Sequence, residues 1–126
     1  MAIEKITWED IPKEKVSDTL ERRLITGQNL MLAHIYLKKD SVVPMHSHPN
    51  EQITYILSGE TKFWLNSKDS EPITLKAGDV LPIPPNVPHE AYAVEETLDM
   101  DIFSPPREDW LNHTDAYLQG DPNRVK

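Results

Sequence analysis

The chain has 126 residues, 38% hydrophobic and 27% charged, the proportions of a single ordinary globular domain spanning 1–126. Asp and Glu outnumber Lys and Arg by 21 to 13, and a formal net charge of -8 repels nucleic-acid backbones. Cysteine is absent, which excludes disulfides, zinc ribbons, iron–sulfur clusters and thiol catalysis.

No apolar run follows Met1, and no stretch approaches the roughly 18 apolar residues of a membrane helix. The expectation is a soluble cytoplasmic protein with neither nucleic acid nor membrane as partner. Eleven prolines against 4 glycines suit short strands and rigid turns better than long helices. Strands are predicted at residues 3–8, 20–26, 30–38, 52–57, 61–66, 72–76, 79–83, 89–94 and 98–103, each short and set off by turn residues. That spacing describes an all-β sandwich or barrel, with a core from about 20 to 104.

Segment 30–37 is apolar on both parities and reads as a strand buried on both sides, with His34 facing the cavity or a polar neighbour. In 98–103, Leu98, Met100 and Ile102 read as the core face. Asp101 and Phe103 fall on the opposite face, and Asp99 reads as exposed or as a strand-edge charge. Pro105 and Pro106 end the sheet, and 107–111 reads as a short helical turn. Residues 105–126 form the C-terminal turn and tail: Trp110 packs over the barrel end, His113 is exposed, and 120–126 frays.

Three of the five histidines sit in two informative strings. The first is Pro44-Met45-His46-Ser47-His48-Pro49-Asn50-Glu51-Gln52. On an extended chain His46 and His48 point the same way, and Gln52 shares their parity while Glu51 opposes it. Imidazole nitrogens suit divalent transition metals, and the Gln52 oxygen adds a neutral fourth donor. The second string runs from Gly78 to Ala93, with four prolines fixing a tight bend before His89.

These strings resemble the paired motifs of the cupin superfamily, Gly-x5-His-x-His-x3-Glu-x6-Gly and Gly-x5-Pro-x-Gly-x2-His-x3-Asn. His46, His48, Gly59, Gly78, Pro84 and His89 match in type and spacing. Asp40 and Asn86 replace glycines, Gln52 replaces the glutamate, and Ala93 replaces the last asparagine. The resemblance implies a double-sheet jelly-roll barrel. It also implies one divalent metal ion on His46, His48, Gln52 and His89, a set that accepts manganese, iron, nickel, cobalt or zinc. All four donors are neutral, so the ion keeps its full charge and favours anionic ligands over oxygen activation.

With the string Asp101-Ile102-Phe103-Ser104-Pro105-Pro106-Arg107, the chain resembles the small pectin-degradation cupins of the KdgF type over 44–111. That likeness implies opening of the ring of 4,5-unsaturated galacturonate to its linear keto form. Asp101 and Arg107 would be catalytic, with Phe103 and Arg107 in contact with the small acidic sugar. It also implies a homodimer, for which strands 30–37 and 53–57 offer apolar surface. Other readings stand beside this one: a different metal-dependent cupin, dioxygenase or isomerase, and a non-catalytic small-molecule binding domain. Arg107 has its own plain alternative, pairing with Glu108 or Asp109 on a solvated turn.

Overall fold

The computed structural model describes residues 3–115. A single 3-10 turn, Trp8–Asp10, precedes ten strands. These are β1 (Glu14–Lys15), β2 (Leu20–Thr26), β3 (Met31–Leu37), β4 (Val42–His46), β5 (Glu51–Ser58), β6 (Glu60–Leu65), β7 (Ile73–Lys76), β8 (Val80–Ile83), β9 (His89–Ala93) and β10 (Thr97–Ser104). A short helix, α1 (Glu108–Leu111), follows. The strands form two antiparallel sheets, ordered β1-β2-β3-β10-β5-β8 and β4-β9-β6-β7. This is the all-β, double-sheet jelly roll with a C-terminal helical turn. Among the described residues no helix is long and apolar enough to cross a membrane.

Three local expectations are corrected. Residues 3–8 form no strand; the ring of Trp8 stacks on His34 at 3.6 Å. His34 therefore lies on the outward face of β3, under an aromatic lid, and not in the cavity. Strand β4 is absent from the predicted set because Pro44 interrupts it. It survives because β4 is a sheet edge and its register against β9 shifts between Val43 and His46, so the missing N–H breaks no ladder. Strand β1 is too short to show a pattern.

The third correction concerns β10, whose burial alternates strictly. Thr97, Asp99, Asp101 and Phe103 are buried and look into the barrel. Leu98, Met100 and Ile102 look outward and are only half-buried. The apolar parity is the wrong guide because this interior is built to hold polar groups. Two apolar clusters fill the rest, one around Leu20, Ile35, Leu37, Phe103 and Trp110, the other around Ile56, Phe63, Leu75 and Ile83.

The turns that aim the histidine strings need left-handed backbone. Asp40 (φ 71°) and Asn86 (φ 65°) adopt it where the family pattern has glycine, which these two side chains tolerate best among non-glycine residues. The frayed tail expected at 120–126 lies outside the described residues.

Candidate metal centre and the cavity beneath it

His46 ends β4 and pairs in register with His89, which opens β9. His48 follows in the loop to β5, and Gln52 faces inward beside it, buried, while Glu51 is exposed. The metal-capable atoms of His46, His48 and His89 all lie within 4.8 Å of one another. These three rings would hold a divalent ion between them.

Local backbone fixes the tautomer of each ring. Nδ1–H of His46 donates to the Pro44 carbonyl at 2.7 Å, that of His48 to Asn50 at 3.1 Å and that of His89 to Val87 at 2.9 Å. Each partner is two residues away, so the loops that carry the rings also orient them. The Nε2 lone pairs are then available to a metal. Burial, with His89 beside it, lowers the His46 pKa to about 3. Burial and the Arg107 charge lower that of His48 to about 4. His89 is lowered for the same two reasons. All three rings are neutral at pH 7, the form that binds metal.

Two contacts test whether an ion fits. Gln52 Nε2–H donates to Thr54 Oγ1 at 2.8 Å, which turns Gln52 Oε1 toward His48 Nε2 at 3.1 Å. A neutral His48 that donates from Nδ1 presents only a lone pair there, so two acceptors face each other. His89 Nε2 is buried with no hydrogen-bond partner. A cation at the point these atoms share satisfies all of them at once, so the donor set fits a divalent ion.

Behind the ligands lies a cavity whose polar and aromatic lining includes His46, Gln52, His89, Asp99, Asp101, Phe103, Arg107 and Trp110. Leu20, Ile35, Leu37, Val43 and Phe63 also line it. Asp101 sits opposite Thr54 across β10 and β5, and Thr54 Oγ1–H donates to Asp101 Oδ1 at 2.8 Å. A continuous polar chain thus runs from Gln52 through Thr54 to Asp101. Burial raises the Asp101 pKa, while hydrogen bonds and the Arg107 charge work against that rise.

Arg107 both pairs locally and belongs to the cavity. Its Nε and Nη2 donate to the Asp109 carboxylate at 2.9 and 2.7 Å. The turn is not solvated, however: Arg107 is 1% exposed, with its guanidinium 5.1 Å from the Phe103 ring and 4.7 Å from that of Trp110. Phe103 is equally buried and meets His48 and Trp110 edge-on at 5.8 and 5.0 Å. Trp110 closes the barrel end.

Sequence reasoning misses four residues of this region. Thr54 and Asp99 give a usable signal, since each shares strand parity with a named site residue, Gln52 or Asp101. Asn50, whose Nδ2 donates to the Pro105 carbonyl at 2.5 Å, and Arg22, which faces Trp110 at 4.7 Å, give none.

The cupin domain family matches residues 33–104. Similar solved structures include an RmlC-like cupin from Shewanella frigidimarina NCIMB 400, 27% identical over 86% of this chain and 96% of that one, with TM-score 0.78. KdgF from Halomonas sp. is 25% identical over 86% of this chain and 99% of that one, with TM-score 0.79. An oxalate decarboxylase from Lactobacillus farciminis, 16% identical with TM-score 0.69, shares the fold; the match covers 90% of this chain and 39% of the decarboxylase. No curated protein matches the sequence. With the family matched over more than half its length, on a two-sheet barrel that turns three histidines to one point, this chain belongs to the cupin family.

Proposed function

We propose that the protein is a metal-dependent enzyme acting on a small acidic sugar, and that it opens the ring of 4,5-unsaturated galacturonate to the linear keto form. The observation that carries this reading is one cavity lined by His46, Gln52 and His89 of the neutral donor set together with Asp101, Phe103 and Arg107, with His48 against Gln52. The resemblance of 44–111 to the pectin-degradation cupins supports it.

One divalent ion on His46, His48, Gln52 and His89 would supply a Lewis acid for the sugar carboxylate and the oxygen beside it. Arg107 adds positive charge at the same place, which an overall charge of -8 makes necessary for an anionic substrate. Pairing with Asp109 and packing between two rings keep that charge in position. Phe103 packs against both His48 and Arg107. Of the two buried carboxyls in the cavity, Asp101 would be the proton carrier, because it is the one joined through Thr54 to Gln52.

A homodimer through strands 30–37 and 53–57 would use the outward face of the six-stranded sheet, where Leu30, Ile53 and Leu57 are exposed. Sedimentation velocity tests this assignment.

The decisive experiment is metal analysis of the purified protein, combined with NMR observation of 4,5-unsaturated galacturonate. About one ion per chain and ring opening faster than in buffer are expected. Bound metal without ring opening would favour a different cupin reaction or a binding domain.

A further inference from the structure

We propose that Thr54 is the positioning residue of the metal centre, holding the Gln52 amide with Oε1 toward the histidines before any ion arrives. The same contact makes glutamine, and not the glutamate of the family pattern, the side chain that suits position 52. The inference rests on the metal-dependent reading and not on the identity of the sugar.

Gln52 and Thr54 are successive inward residues of β5, 4% and 0% exposed, and Thr54 stands opposite Asp101 on β10. Gln52 Nε2–H donates to Thr54 Oγ1 at 2.8 Å, and Thr54 Oγ1–H donates to Asp101 Oδ1 at 2.8 Å. A hydroxyl has one hydrogen, so Thr54 has only lone pairs left for whatever residue 52 presents. On the other side of β5, Leu81 and Ile83 stand opposite Thr54 and Gln52 and offer no polar side chain.

Taken alone, the Gln52 amide shows the worse of two orientations. Its Oε1 lies 3.1 Å from His48 Nε2, while His48 Nδ1–H is committed to the Asn50 carbonyl. Turned over, the amide would donate Nε2–H to the His48 lone pair and accept the Thr54 hydrogen at Oε1. That orientation would occupy the lone pair that a metal needs. It would also take the Thr54 hydrogen from Asp101 Oδ1, leaving a buried acceptor short of its donor. Thr54, tied to Asp101, therefore holds the metal-ready orientation against the one that would mask His48.

The same chain bears on the identity of residue 52. Glutamate has no N–H to offer. In that place its carboxylate and Asp101 would compete for the one Thr54 hydrogen, and one of two buried acceptors would lose it. Thr54 and Asp101 together call for an amide at 52, and the amide makes the donor set neutral.

The test uses the full chain, metal-free for NMR and then titrated with nickel by calorimetry. In the wild type, strong NOEs from the Gln52 NH2 group are expected to Thr54 and not to the His48 ring. In Thr54→Val they should move to His48. Nickel should bind Thr54→Val about tenfold to a hundredfold more weakly than the parent, and Thr54→Ser, which keeps the hydroxyl, within about threefold of it. Thr54 acts on the metal only through Gln52. Adding Thr54→Val to Gln52→Ala should therefore weaken nickel binding no further than Gln52→Ala does alone.

Wild-type NOEs from the NH2 group to the His48 ring overturn the proposal, and this result stands even if Thr54→Val does not fold. Parent-like nickel affinity in Thr54→Val overturns it too, as do losses that add in the double variant. No substrate is present, so a parent that binds nickel but leaves the sugar ring closed counts only against the proposed function. A parent that takes up neither nickel nor manganese overturns both.

Discussion

Arg22, Ile35 and Asp99 lie in one row across β2, β3 and β10, in direct register. Two strand spacings of about 4.8 Å separate the outer pair. Both outer members are buried charged residue types, yet they are treated in opposite ways. Arg22 is met by Glu14 at 2.9 Å, by Asp115 at 2.6 Å and by the Trp110 face at 4.7 Å. Asp99 has a like group, Asp101, as its neighbour on the inward face of β10, and its Oδ1 is buried without a hydrogen-bond partner. Ile35 stands between them. A buried charge that is fully answered reads as scaffold, and one left short of an opposite charge, beside a metal-capable cluster, reads as function. The scaffold cluster ties β1, β2 and the chain after α1 together. The short-changed one lines the cavity below the histidines.

The largest expected effect lies on the functional side. A His48→Ala, His89→Ala double variant loses two of four donors while leaving both apolar clusters intact, so metal content by elemental analysis should fall close to zero. Unchanged content in a folded variant would move the site elsewhere. Next comes Asp101→Asn, which keeps the size and the Thr54 contact and removes the proton carrier. Its kcat should fall by about 10²–10⁴-fold with metal content unchanged.

The row itself can be broken from either end. Arg22→Met leaves Asp115 buried without its cation and should cost about 3–5 kcal/mol by chemical denaturation. Asp99→Asn should stabilise at neutral pH. A carboxyl with a raised folded pKa binds more protons folded than unfolded, so its contribution falls as pH rises from the unfolded value of 3.8. The advantage of Asn over Asp should therefore grow from acid toward neutral pH and be small near pH 3. An Asp99→Asn variant less stable than the parent at pH 7 would mean that the two ends of the row are alike.

Much of this is legible in the sequence, for physical reasons. The histidine strings can be read because their spacing is set by local turns, and the turns hold the rings with carbonyls two residues away. The strands are legible through their alternation, and β4 escapes because a proline is tolerated only at an edge, a tertiary fact. The face of β10 is easily misread because alternation gives two faces and does not say which is inside. In an ordinary sheet the apolar face is the core, and here the barrel interior carries Asp99 and Asp101. Arg22 and its partners are invisible to sequence reasoning, since Glu14, Arg22 and Asp115 meet only through the fold.

A smaller effect is expected at Gln52. Gln52→Glu offers a carboxylate oxygen in the same place and should keep the metal. It brings a second acidic group to the chain that runs through Thr54 to Asp101 and removes the amide donor to Thr54. Activity on an anionic substrate should drop about tenfold, since the added charge weakens the electrophile. A Gln52→Glu variant as active as the parent would show that the neutral donor set is irrelevant to the chemistry.

The smallest effect belongs to the scaffold cluster and has the opposite pH sign to that of Asp99. Hydrogen bonds and charge from Arg22, with His113 also close, outweigh desolvation and hold the Glu14 pKa below its usual value of 4.5. A carboxyl with a depressed folded pKa binds fewer protons folded than unfolded. Its stabilisation is therefore present above 4.5 and is lost as pH falls through the folded value. Glu14 is half-exposed, so solvent screens much of this interaction. Glu14→Gln should lower Tm slightly at pH 7 and leave it close to that of the parent once both are below the folded pKa. Thermal scans across that range, with Asp99→Asn beside it, should give two differences of opposite slope. Parallel slopes would remove the distinction between the balanced and the unbalanced end of the row.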